Sequence, residues 1–200
     1  MFEELNDPQI NNAIERCEEI GVILDYIILK DIDVSVTFET HRNAAFIGMS
    51  IIDKRLEDWA ISRANEEITI DKFFRVKIYD KNISAKIISF REFWGSDDAL
   101  PRMMSYGKCW AIPNIDGYKT AFFNPPHGLR GTFEEQIIRF NAINHLIFSP
   151  MNDENLEILQ WPDDWSNYFD AGKEWWGTFF WTIYNKAKNI FMVLGGSTTD

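Results

Sequence analysis

The C-terminal run EWWGTFFWTIYNKAKNIFMVLGGSTTD sets the tightest limit on the fold. Residues Glu174 to Tyr184 hold six aromatic side chains, and Asn185 to Asn189 then separate them from a second apolar run, IFMVL. Two β-branched and aromatic runs around a short polar turn define a β-hairpin. A membrane helix is excluded, because Gly177, Thr178 and Thr182 interrupt a stretch far shorter than the roughly 18 apolar residues a span requires. Split by the strand period of two, one face carries Trp175, Gly177, Phe179, Trp181 and Ile183, and the other Trp176, Thr178, Phe180, Thr182 and Tyr184. A hairpin with one wet face alternates cleanly, and this one does not. Both faces are therefore at least partly covered, either by the chain's own helices or, on the threonine-bearing side, by a ligand or partner.

An antiparallel pair of this kind belongs to a sheet, and the rest of the chain supplies further strands. VILDYIIL and VSVTFET read as a hairpin about Lys30 to Asp33, NAAFIGMSIID as another strand, and RLEDWAISRA as a short helix. FFRVKIYD and ISAKIISF flank a turn that begins at Asp80, and LEILQW is a short strand. KCWAIPNIDGYKTAFFNPP gives two strands around Asn114 to Gly117. Two helices are well marked. Asp7-Pro8 places an N-cap before a proline at the first helical position, with Gly21 as the stop. Thr132 and Glu135 have capping-box spacing, so a helix runs from Phe133 to about Phe148 before Pro150, with apolar residues around most of its axis. Tight turns between strands and only two or three helices predict an α+β fold on a mostly antiparallel sheet. Residues 1–200 read as one domain, with a candidate subdomain boundary in the aperiodic loop 94–105.

Charge narrows the function. Of the formal net charge of −11, residues 1–25 contribute −6 (seven acids and Arg16) and residues 151–174 another −6 (seven acids and Lys173), while 26–150 balance. Such patches repel phosphate backbones, so nucleic acid is not the expected partner, and a basic protein is. Met1 is followed by Glu3, Glu4 and Asp7 rather than by a basic start and an apolar run, so no secretory signal is expected. Cys17 and Cys109 are the only cysteines. They have no zinc or disulfide spacing, and a cytoplasmic location fits them.

No motif fixes a reaction. HExxH, EF-hand and phosphate-loop patterns are missing, so neither a metal nor any other cofactor is called for. His127 in NPPHGLRG could act as a base beside Arg130, but no nucleophile is spaced to it; a structural turn is the simpler reading. His145 shares a helical stripe with Asn141 and Glu134, as on a surface face, and His41 follows a strand without evident chemistry. The most distinctive composition is LQWPDDWSNYFDAGKEWW. Trp161, Trp165, Tyr168 and Trp176 interleaved with Asp163, Asp164 and Asp170 form a candidate binding surface, since aromatics dominate interface hot spots and acids select a cationic partner. The competing reading is a loop folded back to cap its own core. The expectation is a non-catalytic protein-binding module of the inhibitor or immunity-protein type, more readily than an enzyme. The alternative is a small hydrolase or transferase with an aromatic-lined pocket. Self-association through the hairpin's threonine-bearing face is compatible with both.

Overall fold

The computed structural model describes residues 2–31, 35–63, 75–95, 117–174 and 176–198. Six strands, β1 (Phe2–Glu4), β2 (Asp25–Asp31), β3 (Lys86–Ile88), β4 (Leu156–Gln160), β5 (Thr178–Asn185) and β6 (Ile190–Ser197), form one antiparallel sheet in the order β1-β2-β6-β5-β4-β3. The aromatic hairpin β5–β6 sits at its centre. Its neighbour β2 comes from the other end of the chain, with Tyr26 opposite Leu194, and β4 flanks it on the far side, with Ile158 opposite Ile183.

Five α-helices are present among the described residues: α1 (Pro8–Glu19), α2 (Phe38–Arg63), α3 (Phe90–Trp94), α4 (Tyr118–Phe123) and α5 (Phe133–Phe148). Helices α1, α3, α4 and α5 cover one sheet face, where Tyr26, Ile28, Ile158, Trp181, Ile183 and Met192 point. Helix α2 and the segments around Ile78 and Trp165 cover the other, over Ile27, Leu29, Leu159, Phe180, Phe191 and Val193. Alternate residues of every central strand thus enter different cores. That is why the hairpin lacks a polar face, and it is the α+β architecture expected.

The helix ends follow local chemistry. Asp7 Oδ1 accepts from the amides of Gln9 and Ile10, and Gly21 ends α1 at φ +94°. Thr132 and Glu135 cap α5 reciprocally. That helix is not buried all round, since Ile138 is 57% exposed.

Several expected strands are helices. Phe38 to Arg63 form one continuous α2, which takes in the end of the strand expected at VSVTFET, the whole of NAAFIGMSIID and the short helix expected after it as far as Arg63; residues 35–37 are not in a strand. The reason is a stripe of small and apolar side chains, Ala44, Ala45, Gly48, Met49 and Ile52, which faces the sheet at helical spacing. Gly48 lets the helix lie close: a Cβ there would stand 2.6 Å from Val193 Cγ1. YKTAFF is the fully buried helix α4 rather than a strand. It has no side-chain cap and is held by tertiary packing, with Tyr118 stacked on Phe93 and Phe140.

Among the described residues, which begin at Arg75 here, the hairpin expected between FFRVKIYD and ISAKIISF does not form, although the Asp80 turn does, with Asn82 N–H donating to Asp80 Oδ1. Val76 N–H donates instead to Asp53, Lys77 N–H to the Asn167 side chain, and Ile78 bridges to Ser166. Lys86–Ile88 pairs with β4. The turn beyond Asp31, residues 96–105 of the expected boundary, the strand from Lys108 and the side chain of Trp175 lie outside the described residues.

Candidate functional site

Among its described residues the acidic aromatic segment divides by chemistry: its rings point inward, and Asp164 and Asp170 point outward. Trp165 packs edge-on against Phe46 and Phe180, and its Nε1–H donates to the Pro162 carbonyl. Trp161 is buried and donates Nε1–H to Thr182 Oγ1 at 2.9 Å. Tyr168, also buried, donates its hydroxyl to Asp25 Oδ2 at 2.7 Å. Each indole or phenol thus finds the partner that a buried amphipathic ring requires. Asp164 and Asp170 are exposed, the latter 3.9 Å from Lys173, while Asp163 is half-buried and accepts from the Thr178 hydroxyl.

Trp176 departs from the period-two assignment. Gly177 at φ +112° breaks the alternation before β5 begins, so Trp176 stacks edge-on against Phe179 and donates to the Asn124 carbonyl. It therefore joins the face opposite Phe180. The threonine-bearing face itself is covered by α2, so self-association through it would have to displace that helix.

At the centre of that face lies a buried polar row that sequence reasoning missed. His41 of α2 places Nδ1 2.8 Å from Thr182 Oγ1 and Nε2 3.4 Å from Glu157 Oε1. Both His41 and Thr182 are 0% exposed. Thr182 Oγ1 also accepts from Trp161 Nε1–H, so the hydroxyl joins the indole and the imidazole in one buried row. Nε2 makes no hydrogen bond. Burial lowers the His41 pKa to about 4, so the imidazole is neutral at neutral pH. The spacing His41–Ala44–Ala45–Gly48 was the available signal, and it shows only once the segment is read as a helix.

The other histidines stay where the simpler readings put them. His127 is exposed in its turn, and His145 lies on the outer face of α5 with Glu134 and Asn141. Cys17 is buried on the apolar side of α1, and burial pushes its thiol up to about 12, which leaves it unreactive. Among the described residues no three His, Cys, Asp or Glu side chains converge as metal ligands, and no helix is long and apolar enough to cross a membrane.

The other acidic segment borders a cleft of about 440 Å³ at the sheet edge, lined by Glu4, Leu5, Asn6, Asn11, Ile14, Glu15, Glu18 and Arg55. Arg55 is its one cationic lining residue, and it is already engaged by Glu4 Oε1 at 2.6 Å and the Tyr26 carbonyl at 3.0 Å. Burial raises the pKa of Glu18, opposed by Arg55.

Comparison with known proteins found no family model, no curated protein and no solved structure that matches this chain.

Proposed function

We propose that the protein is a non-catalytic, cytoplasmic binding module for a basic protein, of the inhibitor or immunity-protein type, and that acids rather than aromatic rings make the contact. The observation that carries this reading is the edge cleft. Three glutamates line it, and its arginine is occupied internally, so the cleft presents excess negative charge to solvent. Asp164 and Asp170 provide a second acidic surface on the segment that the Tyr168–Asp25 bond joins to the start of β2. Charge arranged in this way steers a cationic partner and gives salt-sensitive association. The free, unreactive thiol of Cys17 accords with a reducing compartment.

The test is capture from a lysate of the native host on immobilised protein at low salt. The expected result is retention of a basic protein that is lost with Glu15→Lys/Glu18→Lys or with Asp163→Lys/Asp164→Lys/Asp170→Lys. Equal retention by both reversed variants would end the proposal.

One observation favours the hydrolase or transferase alternative. Thr182, His41 and Glu157 reproduce a hydroxyl–imidazole–carboxylate order. Both Thr182 and His41 are fully buried, so a substrate would have to open the α2 layer to reach them. Labelling of Thr182 by a hydroxyl-directed acylating reagent would support that reading, and an unmodified Thr182 under conditions that label surface hydroxyls would remove it.

A further inference from the structure

Among the described residues the sheet ends at β1 on one side and at β3 on the other. Phe2, Glu3 and Glu4 pair with Asp31, Lys30 and Leu29 of β2. Leu5 continues that register opposite Ile28, and its N–H donates to the Ile28 carbonyl at 2.8 Å. Hydrogen-bonded and open pairs alternate along an antiparallel ladder, so Glu3, two residues from Leu5, also turns its N–H and C=O to β2. The main-chain groups of Phe2 and Glu4 therefore point the other way, and no backbone group of the described residues meets them. An edge of this kind is a template for one more strand.

The two faces of that edge differ in chemistry. Phe2 lies on the α2 side, edge-on to Phe191 with ring centroids 5.0 Å apart, and Glu4 on the same side is engaged by Arg55. Glu3 and Leu5 alternate to the α1 side. The edge cleft adjoins the strand there, with Leu5 and Ile14 as apolar wall and Glu15 and Glu18 of α1 as carboxylates. An aliphatic stem that ends in a cation matches such a lining. At the opposite edge β3 carries Lys86, whose charge disfavours a basic strand.

We propose that the free edge of β1 binds an extended segment of alternating basic and apolar residues as a further strand, with a lysine or arginine side chain in the cleft. Main-chain bonds to Phe2 and Glu4 hold the segment. Glu3, Glu15 and Glu18 select its basic residues on the α1 side, and Phe2 meets an apolar one on the α2 side. This mode of contact rests on the binding reading above and adds how the basic partner is held.

Titration of the full chain with the peptide Lys-Val-Lys-Val-Lys-Val, followed by amide hydrogen exchange, tests it. Bound peptide should slow exchange of the Glu4 amide by about fivefold or more and leave the Leu5 amide, already bonded to Ile28, unchanged. Glu4→Pro deletes an N–H that faces outward, which an edge strand tolerates. It should weaken peptide binding about tenfold more than Glu4→Ala, which keeps the N–H. Salt-sensitive binding with an unprotected Glu4 amide, or equal binding by the two variants, overturns strand addition and leaves the binding reading standing. Absence of peptide binding while a captured basic protein still binds does the same, whereas loss of both ends both. A dimer of the protein alone that Glu4→Pro converts to monomer would give the edge to a second copy and also overturn the proposal. Should Glu4→Pro not fold, exchange of the wild-type Glu4 amide decides alone.

Discussion

Gly48→Ala is a sharp test of how α2 is seated. In an exposed helix this change is stabilising by about 1 kcal/mol, because alanine has the better helix propensity. Here the new methyl would lie 2.6, 2.8 and 2.9 Å from Val193 Cγ1, Cβ and Cγ2, about 1 Å inside ordinary contact. Val193 is fully buried between β5 and β2, so it cannot move without disturbing the sheet. Overpacking of this kind costs about 1–3 kcal/mol, and the crowding of a Cβ against all three side-chain carbons of a branched residue belongs at the upper end. The net expectation is a loss of about 1–2 kcal/mol. Urea denaturation should show a lower midpoint with an unchanged slope, the signature of lost stability without a changed unfolded state. Val193→Ala in the same chain removes the contacts with Cγ1 and Cγ2 and leaves the one with Cβ, so Gly48→Ala/Val193→Ala should lose less than the sum of the single changes. A stabilised Gly48→Ala, or strict additivity in the double variant, would refute the close contact of α2 with β6.

Two further outcomes follow from the buried polar groups. Thr182→Val keeps the shape but leaves Trp161 Nε1–H and His41 Nδ1 unpaired, and should cost about 2–4 kcal/mol in denaturant titration, with Thr182→Ser recovering most of it. The stability–pH profile should show two opposed contributions. His41, lowered from 6.5 to about 4, makes the folded state lose up to about 3 kcal/mol as pH falls through that window, because the unfolded chain takes up the proton first. Asp25, raised from 3.8 to about 6, acts in the opposite sense: its contribution favours folding at low pH and is lost as pH rises through the same range. Between pH 6.5 and 4.5, Asp25→Asn should therefore become more acid-labile than the wild type and His41→Gln less so, read as the slope of unfolding free energy against pH. Equal slopes in all three proteins would contradict both shifts.

What the sequence showed depended on whether the cause was local. The Asp7-Pro8 start, the Thr132–Glu135 capping box, LEILQW and the closing hairpin are set by residues within a few positions of one another, and all appear as expected except at the Trp176 end of the hairpin, where Gly177 breaks the alternation. The identity of α2 was hidden because Phe46, Ile47 and Ile51, beside the buried stripe, fill the gaps in its period and imitate a strand. Helix α4 had no local signal, since its six residues are all buried and tertiary packing decides their conformation. In the candidate site, the outward placement of Asp164 and Asp170 matched their charge. The inward placement of Trp161, Trp165 and Tyr168 depended on Thr182, the Pro162 carbonyl and Asp25, and two of those three partners are remote in sequence. The repeated alternation of rings and acids marks a surface layer of the protein, with rings covering a core and acids meeting water.

The central claim, that surface acids recognise a basic protein, is tested most directly by calorimetric titration of the captured partner at rising salt. The account predicts that Kd weakens by an order of magnitude or more between about 50 and 300 mM salt. It also predicts that Glu15→Lys/Glu18→Lys or Asp164→Lys/Asp170→Lys abolishes binding without unfolding the protein. An affinity indifferent to salt and to both reversals would contradict it.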